Sequence, residues 1–205
     1  MKGLYLVTPD WDDTGHLLAV TKAALEGGVS LLQYRHKTAE PALRREQATA
    51  LQVLCRQFDC PFIINDHVAL ALEIGADGVH VGGTDAAVSA VRMQIGPQRI
   101  VGGSCYGELE LAKAAHAAGA SYVAYGGFYP SKVKKYPVTT AVEILKQSRD
   151  AVPLPSVVIG GMTPENAAPL IAAGADMVAA ISSIYLADDP RAAAAAFVRL
   201  FDARQ

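Results

Sequence analysis

The sequence lacks the features that mark secreted, membrane-spanning and nucleic-acid-binding proteins. It has only three cysteines, Cys55, Cys60 and Cys105, without a C-x-x-C pair, which argues against a disulfide framework or a zinc knuckle. The formal net charge is -2 and the charges form no blocks, so we expect no nucleic-acid or membrane-surface partner. Charged residues or glycine break every apolar stretch well before the ~18 residues of a membrane span. These absences predict a cytoplasmic protein.

Common catalytic motifs are absent as well. No G-x-S-x-G elbow and no G-x-x-x-x-G-K-[ST] loop occurs, which argues against serine hydrolases and nucleoside triphosphatases. The five histidines show no metal-ligand spacing, and we interpret His80 as a hydrogen-bonded interior residue rather than a base. Cys105 has no evident basic partner, so we expect an inert thiol.

A paired repeat runs through the chain of 205 residues, half of which are apolar. Four segments each combine a helix end, a glycine suited to a left-handed cap, a short polar step and an apolar strand. They are "EGGVSLLQY", "EIGADGVHV", "AAGASYVAY" and "AAGADMVAAI", with their glycines at 28, 75, 119 and 174. This spacing is too wide for one βα unit of ~25 residues and suits two.

A second strand is therefore expected within each interval, and "CPFIIND", "PQRIVGGS" and "LPSVVIGG" supply it. With "GLYLVT" at the start, the chain has eight β-rich runs, each followed by a helical run. Eight βα units predict a single (β/α)8 TIM barrel over residues 1–205. An open doubly wound sheet could also use eight strands, but it gives no reason for a repeat in pairs.

Barrel enzymes build their sites at the carboxyl ends of the strands, so the polar residues there are the candidates. In the second predicted strand, "LLQYRHK", Gln33, Arg35 and Lys37 alternate and should share one face. Arg35 and Lys37 can hold phosphate oxygens, as can lysines of the loop "GGFYPSKVKK". Alternatively, Arg35 and Lys37 could lie exposed after the strand and pair with acidic residues of the next helix. The lysines of the loop could simply be solvated.

Two carboxylates follow neighbouring strands. Asp66 and Asp85 can share one hard divalent ion, whose shell a phosphate group would complete, and Mg²⁺ with a diphosphate is the simplest such assembly. Each precedes a predicted helix and could instead cap it. After strands 7 and 8, "IGGM" and "ISSI" predict a backbone phosphate site, with ordinary tight turns as the alternative.

The motifs together resemble the thiamine phosphate synthase family, in order and along nearly the whole chain. They are "YLVT", "QYRHK", "IINDHVALALEIGADGVHVGGTD", "GGSCY", "GGFYPSKVK", "VVIGGM" and "ISSI". The resemblance implies a transferase of thiamine biosynthesis. It would join 4-amino-2-methyl-5-pyrimidinylmethyl diphosphate to a thiazole phosphate, carboxylated or not, with Mg²⁺ and a dissociative release of diphosphate.

The resemblance also implies a role for each matching residue. The pyrimidine diphosphate would contact Gln33, Arg35, Lys37, Asn65, Ser104 and Lys134, of which the three cations would be catalytic, and Asp66 and Asp85 would bind the metal. The thiazole phosphate would contact Ser131, Gly161, Ile181 and Ser182.

Four positions depart from the family pattern. Gly83 replaces a Gln, Ser131 a Thr, Val133 a hydroxyl residue and His36 a Glu, while the charged set is complete. A thiazole tautomerase with the same barrel and a non-catalytic barrel that binds a phosphorylated metabolite remain as alternatives. The partners expected are small-molecule substrates, and the sequence leaves a homo-oligomer open.

Overall fold

The computed structural model describes residues 1–82, 85–130 and 140–202, with the backbone alone at 85 and 86. Strands and helices alternate along this part of the chain. The eight strands are β1 (Gly3–Val7), β2 (Leu31–Tyr34), β3 (Phe62–Asn65), β4 (Gly78–Gly82), β5 (Ile100–Tyr106), β6 (Tyr122–Gly126), β7 (Ser156–Ile159) and β8 (Met177–Ala180).

The helices follow the strands in the order expected for βα units. They are α1 (Thr14–Glu26), α2 (Pro41–Gln57), α3 (Val68–Ile74), α4 (Asp85–Ile95), α5 (Leu109–Ala117), α6 (Glu143–Ala151), α7 (Pro164–Ala173), α8 (Ser182–Tyr185) and α9 (Pro190–Asp202). The short α8 between β8 and α9 was not predicted. No described helix is long and apolar enough to cross a membrane.

The strands form one closed parallel barrel in which β1 pairs with both β2 and β8. This confirms the predicted (β/α)8 fold and excludes the open doubly wound sheet. Closure leaves no unpaired strand edge, which suits strands only four to seven residues long.

The strand sequences place apolar side chains on both faces, as a parallel barrel requires. Alternate residues such as Leu4 and Leu6 pack outward against the helices, while Tyr5 and Val7 join a separate cluster inside the barrel. That inner cluster consists of Tyr5, Val7, Leu31, Ile63, Tyr122, Ala124, Val157, Met177 and Ala179. The barrel interior is therefore a packed floor beneath the carboxyl ends of the strands.

The helix ends follow local sequence signals. Pro41 and Pro164 occupy the first turns of α2 and α7, where a missing N–H group costs nothing. Thr163 and Asn166 form a reciprocal capping box at the start of α7, and Gly75 ends α3 in the left-handed conformation. These signals fix the starts of α2 and α7 and the end of α3.

Candidate active site

The carboxyl ends of β2 and β3 bring together a set of charged side chains. Tyr34 is paired with Ile64, so Arg35 and Asn65 leave the two strands side by side. The Nζ atom of Lys37 lies 2.6 Å from Oδ2 of Asp66, and Asn65 donates its amide to the same oxygen at 2.7 Å. The sequence therefore placed Lys37, Asn65 and Asp66 correctly at one edge of the barrel.

Strand β2 ends at Tyr34, one residue before Arg35, so the predicted alternation applies within the strand to Gln33 alone. Arg35 nonetheless lines the same cavity as Gln33. Its Nη1 donates to both carboxylate oxygens of Asp10 at 3.2 and 3.3 Å, and Asp10 also accepts from the backbone N–H of Lys37 at 2.9 Å. The acidic partners of Arg35 and Lys37 thus follow β1 and β3, and do not lie on the next helix.

Thr8 fixes the backbone of this segment from the neighbouring strand end. Its hydroxyl donates to the carbonyl of Arg35 at 2.9 Å and accepts from the N–H of Arg35 at 2.8 Å. The guanidinium is nearly buried, with 10% of the side chain exposed, and its Nε has no partner among the described residues. A buried donor without a partner is a group that an anionic ligand would satisfy.

Asp66 adopts a left-handed backbone conformation, with φ of 61°. That conformation costs an L-residue roughly 1–2 kcal/mol, although Asp tolerates it better than most. Burial raises the pKa of its carboxyl, but the hydrogen bond and charge of Lys37 and the bond from Asn65 outweigh burial, so the net shift is downward. The carboxylate is therefore ionised at neutral pH and 43% exposed at the barrel mouth.

The alternative role of Asp66 as a helix cap is not what the structure shows. Helix α3 has His67 as its N-cap residue, without a side-chain cap bond. Asp85 is the first residue of α4, three positions beyond the end of β4, and its side chain lies outside the described part. Of the predicted metal pair, the structure therefore tests the position of Asp66 only.

The donor set at this edge fits a hard divalent cation. Mg²⁺ is usually held by one or two carboxylates together with phosphate oxygens and water, and Asp66 offers an ionised, accessible carboxylate. In residues 1–82, 85–130 and 140–202 no group of three or more His, Cys, Asp or Glu side chains could hold a metal. A site here would depend on a phosphorylated ligand.

A cavity of about 380 Å³, including its open mouth, lies inside the barrel, and Arg35 is the charged side chain that lines it. Its polar lining is Tyr5, Gln33, Arg35, His80 and Ser104. The apolar lining is Val7, Ala124, Val157, Ile159, Ala179 and Ile181. Such a pocket suits a flat ring with a charged substituent at the mouth.

Strands β7 and β8 end next to each other, since Ile159 is paired with Ala179. Gly160 and Gly161 follow β7 with φ values of 113° and 60°, and a Cβ on Gly161 would lie 2.1 Å from the carbonyl oxygen of Pro130. Only glycine fits this turn. The close neighbour is the Pro130 carbonyl, so the backbone phosphate site stays a prediction. Ser182 begins α8, directly after Ile181, which lines the cavity.

Several predicted site residues lie outside the described part of the chain. They are Ser131, Lys134 and the departures Gly83 and Val133, together with Lys132 and Lys135. Their roles remain predictions.

The structure also bears on two expectations from the sequence, one for His80 and one for Cys105. His80 hydrogen-bonds Tyr122 through Nδ1 and Ser104 through Nε2, both at 2.8 Å, as expected for an interior histidine. Burial raises the pKa of the Cys105 thiol to about 12, although a backbone hydrogen bond at Ala124 opposes this, so the thiol is neutral and poorly nucleophilic at pH 7.

Sequence reasoning missed three contributors to the site: Asp10, Tyr5 and Tyr122. Tyr5 and Tyr122 carry hydroxyl groups at inward positions of β1 and β6, and their oxygens are 2.7 Å apart. The signal was a polar atom at an interior position of an otherwise apolar strand. Asp10 gave no comparable signal, because its contact with Arg35 spans 25 residues.

The closed barrel and the charged side chains at the carboxyl ends of β2 and β3 define a TIM-barrel protein with a polar cluster where barrel enzymes place their sites. A family model described as "Thiamine monophosphate synthase" matches residues 4–184. The chain therefore belongs to the thiamine monophosphate synthase family.

Curated relatives cover nearly the whole chain. A thiamine-phosphate synthase of Janthinobacterium sp. (strain Marseille) is 69% identical over 201 residues, which is 98% of this chain and 97% of the relative. A thiamine-phosphate synthase of Nitrosospira multiformis is 50% identical over 199 residues, 97% of this chain and 85% of the relative.

Solved structures agree. Thiamine phosphate pyrophosphorylase from Pyrococcus furiosus has a TM-score of 0.85 at 31% identity and covers 98% of this chain and 96% of its own. A 3-hexulose-6-phosphate synthase has a TM-score of 0.73 at 21% identity over 98% of this chain and 99% of its own, a likeness that shows the fold alone.

Proposed function

We propose that the protein is a thiamine-phosphate synthase, a transferase that moves a pyrimidinylmethyl group. It joins 4-amino-2-methyl-5-pyrimidinylmethyl diphosphate to a thiazole phosphate, with or without a carboxylate, and releases diphosphate. The observation that carries the proposal is the cluster of Arg35, Lys37, Asn65 and Asp66 at the ends of β2 and β3, where Arg35 lines a cavity with largely apolar walls. Family membership supports the same substrates.

The reaction is a substitution at the methylene carbon of the pyrimidine. The C–O bond to the diphosphate breaks, and its electron pair leaves with the diphosphate oxygen. The aminopyrimidine ring stabilises positive charge on the methylene carbon, so departure precedes attack. The thiazole nitrogen then forms the new C–N bond with its lone pair. No covalent bond to the protein is required.

The residues of this chain hold and neutralise the leaving group. Arg35 reaches the cavity and has a buried donor to satisfy, and Lys37 lies at the mouth with half of its side chain exposed. Preorganised cations that face developing negative charge lower the barrier for departure. Lys134 is proposed as a third cation on family resemblance.

Asp66, with Asp85 on family resemblance, would hold a Mg²⁺ ion. Bound there, the ion would add positive charge against the diphosphate oxygens. Lys37 and Asn65 both donate to Oδ2 of Asp66 and keep its carboxylate ionised.

The two rings need positions at opposite sides of one cavity. Gln33 and Ser104 line the side where the pyrimidine would sit, and Ile181 lines the other with Ile159. The backbone at Gly161 and Ser182, with Ser131 by resemblance, would hold the thiazole phosphate. Alignment of two bound reactants removes much of the entropic cost of a bimolecular step.

A product assay with both substrates tests the proposal. Thiamine phosphate and diphosphate should form in equal amounts, and omission of either substrate should abolish both products. A tautomerase would isomerise the thiazole phosphate without consuming the pyrimidine diphosphate, and a non-catalytic barrel would bind without turnover. We also propose a cytoplasmic location, since the three cysteines are buried and free.

A further inference from the structure

Five side chains from five different strands form one continuous hydrogen-bonded network across the barrel interior. Gln33 on β2 donates its amide Nε2 to the hydroxyl of Tyr5 on β1. The Tyr5 and Tyr122 hydroxyls are 2.7 Å apart, and His80 lies between Tyr122 and Ser104 at 2.8 Å on each side. We call these five residues the interior network. Its two ends, Gln33 and Ser104, line the cavity together with Tyr5 and His80.

Tyr122 and His80, at the centre of this network, fit inside the barrel because residue 102 is a glycine. Gly102 on β5 is paired with Tyr122 on β6 and with His80 on β4. A Cβ at Gly102 would lie 2.1 Å from the Tyr122 hydroxyl and 2.6 Å from Nδ1 of His80. Tyr122 itself is fully buried and does not line the cavity. It can therefore influence a ligand only through its partners.

A buried hydroxyl proton without an acceptor is costly, so each tyrosine should donate within the network, and the direction of one hydrogen bond then sets the direction of the rest. With Gln33 as donor, Tyr5 accepts and donates its own proton to Tyr122, and Tyr122 donates to Nδ1 of His80. Because Nδ1 of His80 then accepts, the ring proton on Nε2 is donated to the Ser104 oxygen. The Ser104 proton is left for a ligand, and the Gln33 amide oxygen is left to accept from one.

We propose that Tyr122 and His80 are positioning residues that couple the hydrogen-bonding polarity of Gln33 to that of Ser104, so that the site takes a ligand with a donor at one end and an acceptor at the other. The proposal rests on the proposed function, because the pyrimidine diphosphate has this arrangement. Its ring amino group would donate to Gln33, and an anionic oxygen would accept from Ser104. Reversal of the network would exchange both preferences together.

The first test compares Tyr122→Phe with Tyr125→Phe. Both tyrosines are fully buried on β6, but Tyr125 faces outward and donates to Ser148, so its variant controls for the loss of one buried hydroxyl. Calorimetry would measure binding of the pyrimidine diphosphate and of its analogue without the ring amino group. Wild type and Tyr125→Phe should prefer the amino compound, and Tyr122→Phe should lose about tenfold of that preference, the scale of one hydrogen bond.

An equal weakening of both ligands by Tyr122→Phe would show a merely structural role and overturn the proposal, as would an unchanged preference. If wild type bound neither compound, the proposed function would fail instead. The network itself can then still be tested in the unliganded protein. Nitrogen NMR of labelled histidine should show His80 with its proton on Nε2, and a proton on Nδ1 would reverse the network and overturn the inference.

Discussion

Lys37 and Asp66 are bound to each other across the ends of β2 and β3, with Nζ and Oδ2 only 2.6 Å apart. Lys37, which we propose binds the diphosphate, is thus paired with Asp66, which we propose binds the metal. Binding of Mg²⁺ to Asp66 takes a carboxylate away from Lys37, and binding of diphosphate to Lys37 takes a cation away from Asp66. When both bind, each residue gains a new partner of opposite charge. The structure therefore predicts that Mg²⁺ and diphosphate each increase the affinity for the other.

Lys37→Met should increase the affinity of the protein for Mg²⁺ alone, on the order of 3-fold, because it removes a competing cation from a half-exposed pair. The same variant should bind diphosphate more weakly. Calorimetric titration of each ligand would measure both effects. Lys113→Met is the matched control, since Lys113 makes a 2.7 Å pair with Glu110 on α5. Unchanged or weaker Mg²⁺ binding by Lys37→Met would contradict the assignment.

Removal of divalent metal should abolish coupling of the two substrates. EDTA should stop thiamine phosphate formation and Mg²⁺ should restore it, while Asp66→Asn should fold and lose activity because the neutral amide is a poorer ligand for a hard cation. Activity assays with circular dichroism as a folding control would measure this. Full turnover in a metal-free preparation would remove the metal site from the account.

The native protein should lose stability above about pH 10. Burial raises the pKa of five tyrosines, and hydrogen bonds or a nearby cation oppose this in part at four of them. These tyrosines ionise near pH 10 in the unfolded chain. In the folded protein they stay neutral at that pH. The five are Tyr5, Tyr34, Tyr122, Tyr125 and Tyr185, with the pKa of Tyr125 raised to about 12. The folded state then binds more protons than the unfolded state, and stability falls as pH rises.

Urea unfolding at pH 8, 10 and 11 would measure that loss, and tyrosinate absorbance near 295 nm would follow the ionisation. At pH 11 the native protein should show markedly less tyrosinate than the protein in denaturant. Full tyrosinate absorbance with native circular dichroism at pH 11 would show that the interior tyrosines are not as shielded as the structure indicates.

Lys134→Ala should lower kcat by about 10²–10³, the scale for one preorganised electrostatic group at a leaving group. Lys132→Ala and Lys135→Ala should stay near wild type, because the resemblance gives the diphosphate contact to Lys134 among the three lysines and charges acting at a distance are screened. Single-turnover kinetics would separate the chemical step from loop closure. Equal damage from all three substitutions would indicate a diffuse basic loop rather than a specific ligand.

The fold was predictable from the sequence because the glycines at 28, 75, 119 and 174 repeat a local signal. Each cap and strand depends on neighbouring residues, so it can be seen along the chain. The helices were less predictable, because the single-turn helix α8 was not foreseen. Frayed ends and a single turn of helix leave little periodic pattern.

The site was predictable in its residues more than in its contacts. The strand ends and the family motifs placed Gln33, Arg35, Lys37, Asn65 and Asp66 at the mouth. The clamp of Asp10 on Arg35 and the bond between Tyr5 and Tyr122 join residues 25 and 117 positions apart. Such contacts depend on how the barrel closes, and no local pattern encodes them.

The most direct test of the account is a crystal structure of the protein with Mg²⁺, thiamine phosphate and diphosphate. The account predicts Mg²⁺ at about 2.0–2.1 Å from carboxylate oxygens of Asp66 and Asp85. Arg35 and Lys37 should contact the diphosphate, and the pair between Lys37 and Asp66 should be broken. Diphosphate bound away from Arg35 and Lys37, with that pair intact, would contradict the proposed site.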